Sequence, residues 1–136
     1  MITQLIASAA LLFGAWMGLF ALFKPSWVAG VTGLQARDGH PEGPSEFRGT
    51  LGGLFLFSHL VSVILLWKLD QMSAPIIVVP LAAAWFGSGF GRVVSICLDN
   101  GTATRQNWIW VGFEIGMGLL ISLPFLALVK LVHFLG

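Results

Sequence analysis

Charge is what this chain has least of. Charged side chains make up 10% of its 136 residues, against about 25% in a soluble globular domain. The net charge of +1 provides no basic stripe, which excludes nucleic acid as a partner. A single cysteine, Cys97, excludes an intrachain disulfide, a CxxC motif and a thiolate zinc cluster. Cys97 lies in an apolar run and is expected to be a small buried hydrophobe. No HExxH or related spacing and no nucleophile–base pair is visible, so the sequence offers no catalytic residues and no metal ligands. The length is one domain's worth and is spent on spans, leaving no separate soluble catalytic domain.

What is present is hydrocarbon. Hydrophobic residues reach 57%, and four runs approach or exceed the roughly 20 apolar residues needed to cross a bilayer. They extend from about Gln4 to Phe23, Gly49 to Trp67, Pro75 to Leu98 and Asn107 to Phe134. None alternates strictly, and open backbone cannot face lipid, so all four are predicted helices. No Lys or Arg precedes Lys24 and no small-x-small cleavage site follows the first run, so it is expected to be a retained helix rather than a signal peptide. The connection from Lys24 to Ser45 is the long one. Its Pro25, Pro41 and Pro44 with Gly30, Gly33, Gly39 and Gly43 predict a folded irregular segment. The other two connections are short, and Asp99-Asn100-Gly101 predicts a turn closing the third helix.

The predicted fold is therefore an all-α integral membrane protein: one domain over residues 1–136, an antiparallel four-transmembrane-helix bundle with one longer loop between the first two helices. An even number of spans puts both termini on one side. Lys24, Arg37 and Arg105, with Arg48 at the edge, favour cytoplasmic first and third connections over the side holding Lys68 and Lys130.

Two charges fall within the apolar runs, Arg92 and Glu114. An unpaired ion at bilayer depth costs roughly 2.5–3.5 kcal/mol on insertion scales. At 1.5 Å of rise per residue, Arg92 lies roughly 9 Å below Leu98, and Glu114 roughly 10 Å below Asn107, on the same side. Glu46 and Arg48 flank the start of the second helix on that side too, so two acids and two bases form a neutral set. Arg48 in a first helical turn opposes the helix dipole and needs an anion, for which Glu114 is the candidate, in competition with Arg92. Such a set is either a buried network fixing helix register or a site for a proton or for a lipophilic molecule with a polar head.

Small residues surround these charges. Gly49, Gly52, Gly53, Gly87, Gly89 and Gly91 precede or follow them, and Gly112-to-Gly116 is a GxxxG that permits close helix approach. The glycines either let helices pack or leave room for a ligand. Gly89 and Gly91 are not a nucleotide loop, since no βαβ unit is present.

Secondary candidates are weaker. His59 lies near mid-bilayer, where it is a core histidine bonded by Ser58 or Ser62, or a proton carrier. A bis-histidine haem would need a partner at matching depth, which neither His40 nor His133 supplies. Trp27, Trp67, Trp108 and Trp110 fall where an interfacial aromatic belt is expected. Trp16 and Trp85 fall deeper, and either pack or line an apolar pocket for a quinone, sterol or carotenoid. Ser95 and Asp99 sit at the end of the third helix, where capping is expected.

Lys24-Pro25-Ser26-Trp27, Gly30 to Leu34, Glu46-Phe47-Arg48-Gly49-Thr50 with Gly52-Gly53, Gly91-Arg92 with Ser95, Asp99-Asn100-Gly101 and Glu114 together carry a resemblance. The chain resembles the bacterial four-helix membrane family of unknown function numbered forty-three forty-five, and is similar in outline to DoxX-like proteins. The resemblance covers nearly the whole chain, and Glu-Phe-Arg-Gly-Thr is its most specific part. The Asp38-to-Pro44 stretch departs from it in being longer and richer in proline. The resemblance implies a membrane architecture, a bacterial inner-membrane location and a polar signature made of the named charges; it implies no activity.

No cofactor is expected. Three roles remain open: an accessory or assembly subunit contacting membrane lipid and other membrane proteins, or its own copies, through glycine faces; a binder of a lipophilic ligand gripped by Arg48, Arg92 and Glu114; or a small isomerase using Glu114 or His59.

Overall fold

The computed structural model describes residues 1–35 and 42–135, the side chain of Leu135 excepted. Arg37, His40 and the Asp38–Pro41 part of the proline-rich stretch lie outside the described residues. The described elements are all helical: α1 Ile2–Phe23, α2 Pro25–Thr32, α3 Gly43–Glu46, a π-helical segment Phe47–Leu54, α4 Phe55–Lys68, α5 Ala74–Ile77, α6 Val79–Leu98 and α7 Arg105–Leu135. Four stretches are long and apolar enough to cross a bilayer: Ile2–Phe23, Gly43–Lys68, Ala74–Leu98 and Arg105–Phe134. The chain is an integral membrane protein. In the second and fourth stretches only 22% of the apolar window is buried within the chain, so most of their side chains require an apolar surrounding.

Three sequence expectations change. The long connection is not wholly irregular, because α2 forms in it. Pro25 sits in the first turn, where its missing N–H is no loss. Gly33 ends the helix in the left-handed region at φ 72°, with its N–H on the Ala29 carbonyl. The second span begins earlier than Gly49, at Gly43, and after one α-helical turn it is π-helical over Phe47–Leu54. Gly49, Gly52 and Gly53 weaken α-helix there, and the Thr50 hydroxyl bonds back to the Glu46 carbonyl at 2.5 Å. The third span is broken at Val78, between α5 and α6. Pro80 explains the break, since it has no N–H to donate and its ring clashes with the carbonyl four residues earlier.

The chain divides into two compact units, Leu11–Ile64, and Met1–Ala10 with Leu65–Gly136. In the first unit, α1 meets the second span through glycines. A Cβ on Gly14 would collide with the His59 ring, and one on Gly18 with the Leu56 backbone. One on Gly52 would meet Leu22 at 2.9 Å. The pairs 14–59, 18–56 and 22–52 run in opposite directions along the two chain segments. No hydrophobic effect drives helices together inside lipid, so such close van der Waals approach is what holds them.

In the second unit, α6 packs along α7. Gly118 admits the Phe86 ring, and Gly89 lies against Ile115. Trp85, only 6% exposed, meets Phe113 edge-on at 5.7 Å. Ile121 and Met117 complete the buried side of α7. The Trp67 indole donates to the Ser8 hydroxyl at 2.8 Å, tying the end of α4 to the start of α1 within this unit. Cys97 is exposed, contrary to the buried position expected. It shares the outward stripe of α6 with Phe90, Val94 and Leu98, a stripe that is apolar because lipid, not a protein core, surrounds it.

Candidate functional site

Glu114 and Arg92 are brought together across the α6–α7 seam. Arg92 Nε donates to Glu114 Oε1 at 2.7 Å. The Ser88 hydroxyl, one turn back on α6, donates to the same oxygen at 2.8 Å. Gly89 lies between these two donors on the chain, and a Cβ there would sit 3.5 Å from the Glu114 Cβ, so the backbone of α6 comes close to the carboxylate. The Arg92 guanidinium also lies over the Trp110 ring, 5.9 Å from its centroid, near the outer limit of cation–π attraction.

The two members of the pair are unequal. The Glu114 side chain is 6% exposed, and that of Arg92 31%. Glu114 Oε1 carries both hydrogen bonds, while Oε2 is buried without a partner among the described residues. Arg92 is engaged through Nε only; among the described residues its two terminal nitrogens have no hydrogen-bond partner. A carboxylate and a guanidinium can form two parallel bonds, and this pair forms one. A buried acceptor left unmade costs roughly 1–3 kcal/mol, more when charged, so a half-satisfied carboxylate is a poor stabilising device. What remains is an acceptor at Oε2 and donors at the arginine's open edge.

Arg48 belongs to the other unit and finds a different acceptor from the one expected. Its Nε donates to the Leu22 carbonyl at 3.0 Å, one of the last carbonyls of α1, which no helical N–H can satisfy. A cation at a helix C-terminus is also favoured by the dipole. Its conflict with the start of its own helix is thus resolved by the end of α1. Glu46 is exposed, and its backbone carbonyl supports Thr50. Within its own unit Arg92 pairs with Glu114, and sequence reasoning missed Ser88 as the third member of that site. The signal for Ser88 was available: it lies four residues before Arg92 and so shares its helix face.

The remaining candidates have structural roles. His59 is fully buried. Its Nδ1 lies 2.7 Å from the Phe55 carbonyl and 3.4 Å from the Ser58 hydroxyl, and its ring stacks on Phe55. Ser62 bonds the Ser58 carbonyl instead. Trp16 does not line an interior pocket; it is 49% exposed, stacked on Phe20 and edge-on to Trp27. Trp85 is interior, against Phe113. The Ser95 hydroxyl donates to Asp99 Oδ2 at 2.7 Å, and Thr102 bonds the Ser95 and Asp99 carbonyls. With Gly101 at φ 82° they build the turn between α6 and α7. Nor do the GxxxG glycines hold these helices together, since a Cβ on Gly112 or Gly116 would meet nothing.

A cavity of about 240 Å³ lies in the same unit, lined by Gln4, Gln71, Pro75, Pro124 and Leu128 among others. Ten residues of α7, or about 15 Å, separate Glu114 from Pro124. The charged pair is thus not in this cavity.

The model of a family described as a domain of unknown function (DUF4345) matches residues 2–124, and the chain belongs to that family. No curated protein and no solved structure matches the chain.

Proposed function

We propose that the protein binds a lipophilic molecule whose polar head engages Arg92 and Glu114 within the membrane. The observation that carries this reading is the uneven pair: among the described residues Oε2 of Glu114 is buried and unpartnered, while Arg92 is single-pronged and partly open. A pair serving only to fix helix register would be expected to satisfy both oxygens. The test is purification in mild detergent followed by native mass spectrometry. The wild-type chain retains a small molecule, and the Arg92→Leu/Glu114→Leu double variant, still folded, loses it. A wild-type chain that carries nothing under conditions that preserve bound lipid contradicts the reading.

A second reading, an accessory subunit of a membrane complex, is favoured by Gly112 and Gly116. These lie four residues apart with open space where a Cβ would be, a surface suited to close approach by a helix of another chain. Recovery of the chain as a lone monomer, with no co-purifying protein, would sink this reading without touching the first. Support for an isomerase is weaker: His59 is enclosed, which leaves Glu114 alone as an acid or base. The location that fits these readings is a bacterial inner membrane, as an antiparallel bundle with the first and third connections in the cytoplasm.

A further inference from the structure

The unsatisfied atoms of the pair specify the head they would bind. Oε2 is an acceptor and requires a donor. The terminal nitrogens of Arg92 are donors and require an acceptor. Both belong to one pair whose bonded atoms are 2.7 Å apart, so the donor and the acceptor must be adjacent in the ligand. The pair is already neutral, and a head bearing a net charge would leave an uncompensated ion at a depth of roughly 9 Å.

We infer, building on the ligand-binding reading above, that the ligand is a long-chain carboxylic acid taken up with its proton. The acid O–H donates to Glu114 Oε2, and its carbonyl oxygen accepts from an Arg92 terminal N–H. The two carboxyl groups then hold one proton between them beside one guanidinium, and the assembly stays neutral. Ser88 keeps Oε1 occupied, which leaves Oε2 as the acceptor. Gly87 and Gly91, where a Cβ would meet nothing, lie on α6 next to Ser88 and Arg92, so no side chain of theirs would obstruct a methylene chain there.

The experiment uses the full chain in lipid nanodiscs with palmitic acid labelled with carbon-13 at the carboxyl. Hexadecanol, methyl palmitate and a prenylated benzoquinol are run beside it. Palmitic acid binds saturably, one per chain, with a carboxyl resonance distinct from that of the acid free in lipid. Hexadecanol, which lacks the carbonyl, and methyl palmitate, which lacks the donor, bind roughly tenfold or more weakly, the scale of one lost hydrogen bond to a charged partner. Glu114→Gln weakens palmitic acid by a similar factor. If that variant does not fold, the alcohol and ester comparison on the wild-type chain decides. Equal binding of ester and acid overturns the inference. Binding of the quinol but not the acid, lost in the Arg92→Leu/Glu114→Leu variant, overturns the inference and leaves the ligand-binding reading standing. If nothing binds, both fall.

Discussion

Both units bury a polar side chain beside glycine, and they treat it differently. Between α1 and α4, His59 is wholly enclosed against Gly14 and has its Nδ1 on the Phe55 carbonyl. Between α6 and α7, Glu114 is nearly as buried, yet one oxygen has no partner among the described residues and its arginine stays part-exposed. Burial alone therefore does not say whether a polar group is satisfied. The difference lies in which atoms are satisfied, and by what. His59 is completed by its own helix and its close neighbours, so nothing need arrive; Glu114 is completed only halfway.

Four substitutions or conditions sharpen or break this contrast. The largest effect is expected for Glu114→Leu, which strands Arg92. Loss of one partner of a buried pair costs roughly 3–5 kcal/mol, and the exposure of Arg92 places this case at the low end, about 3 kcal/mol. Adding Arg92→Leu restores most of that stability, as scanned by thermal or denaturant unfolding in detergent. A double variant as unstable as the single one would show that the pair is structural. Next comes Gly18→Ala, whose new methyl meets the Leu56 backbone, an overpacking expected to cost about 2 kcal/mol. Gly112→Ala and Gly116→Ala are expected to leave the isolated chain unchanged or slightly more stable, because alanine is the better helix former by about 1 kcal/mol and nothing is met. If these weaken the chain as much as Gly18→Ala does, the distinction between packed and open glycines is wrong.

The smallest effect belongs to Asp70, in the exposed connection after α4. The Ser73 hydroxyl, with the Ser73 and Met72 backbone N–H groups, holds its carboxyl below the ordinary range. A carboxyl lowered in the folded state contributes stability above its unfolded value of about 3.9 and loses it as pH falls through the folded value. Unfolding midpoints compared at neutral pH and near pH 3 are expected to show a small acid loss that Asp70→Asn removes.

How much of this was legible in the sequence follows from what each feature depends on. The four apolar stretches depend on composition, which a sequence displays directly. The pairing of Arg92 with Glu114 depends on depth, and counting residues along helices put the two at one level while offering Glu114 to Arg48 as well. The acceptor of Arg48 Nε was missed because the carbonyl of Leu22 is backbone, invisible to a search for opposite charges. Cys97 and Trp16 were placed inside because an apolar sequence in a membrane protein marks neither face; lipid and core demand the same residues. Helix α2 was hidden by its prolines and glycines, which cap it at Pro25 and Gly33 rather than break it. That Oε2 of Glu114 would be left over could not be read at all, since it depends on Ser88 and Arg92 both choosing the other oxygen.

That leftover oxygen is the centre of the account. Infrared difference spectroscopy can watch it directly, in protein stripped of lipid and then exposed to a total membrane lipid extract, with Glu114→Gln assigning the band. The account predicts a change in the carboxyl region on adding the extract, present in the wild-type chain and absent from the variant. A carboxyl spectrum that does not move when lipid returns would contradict it.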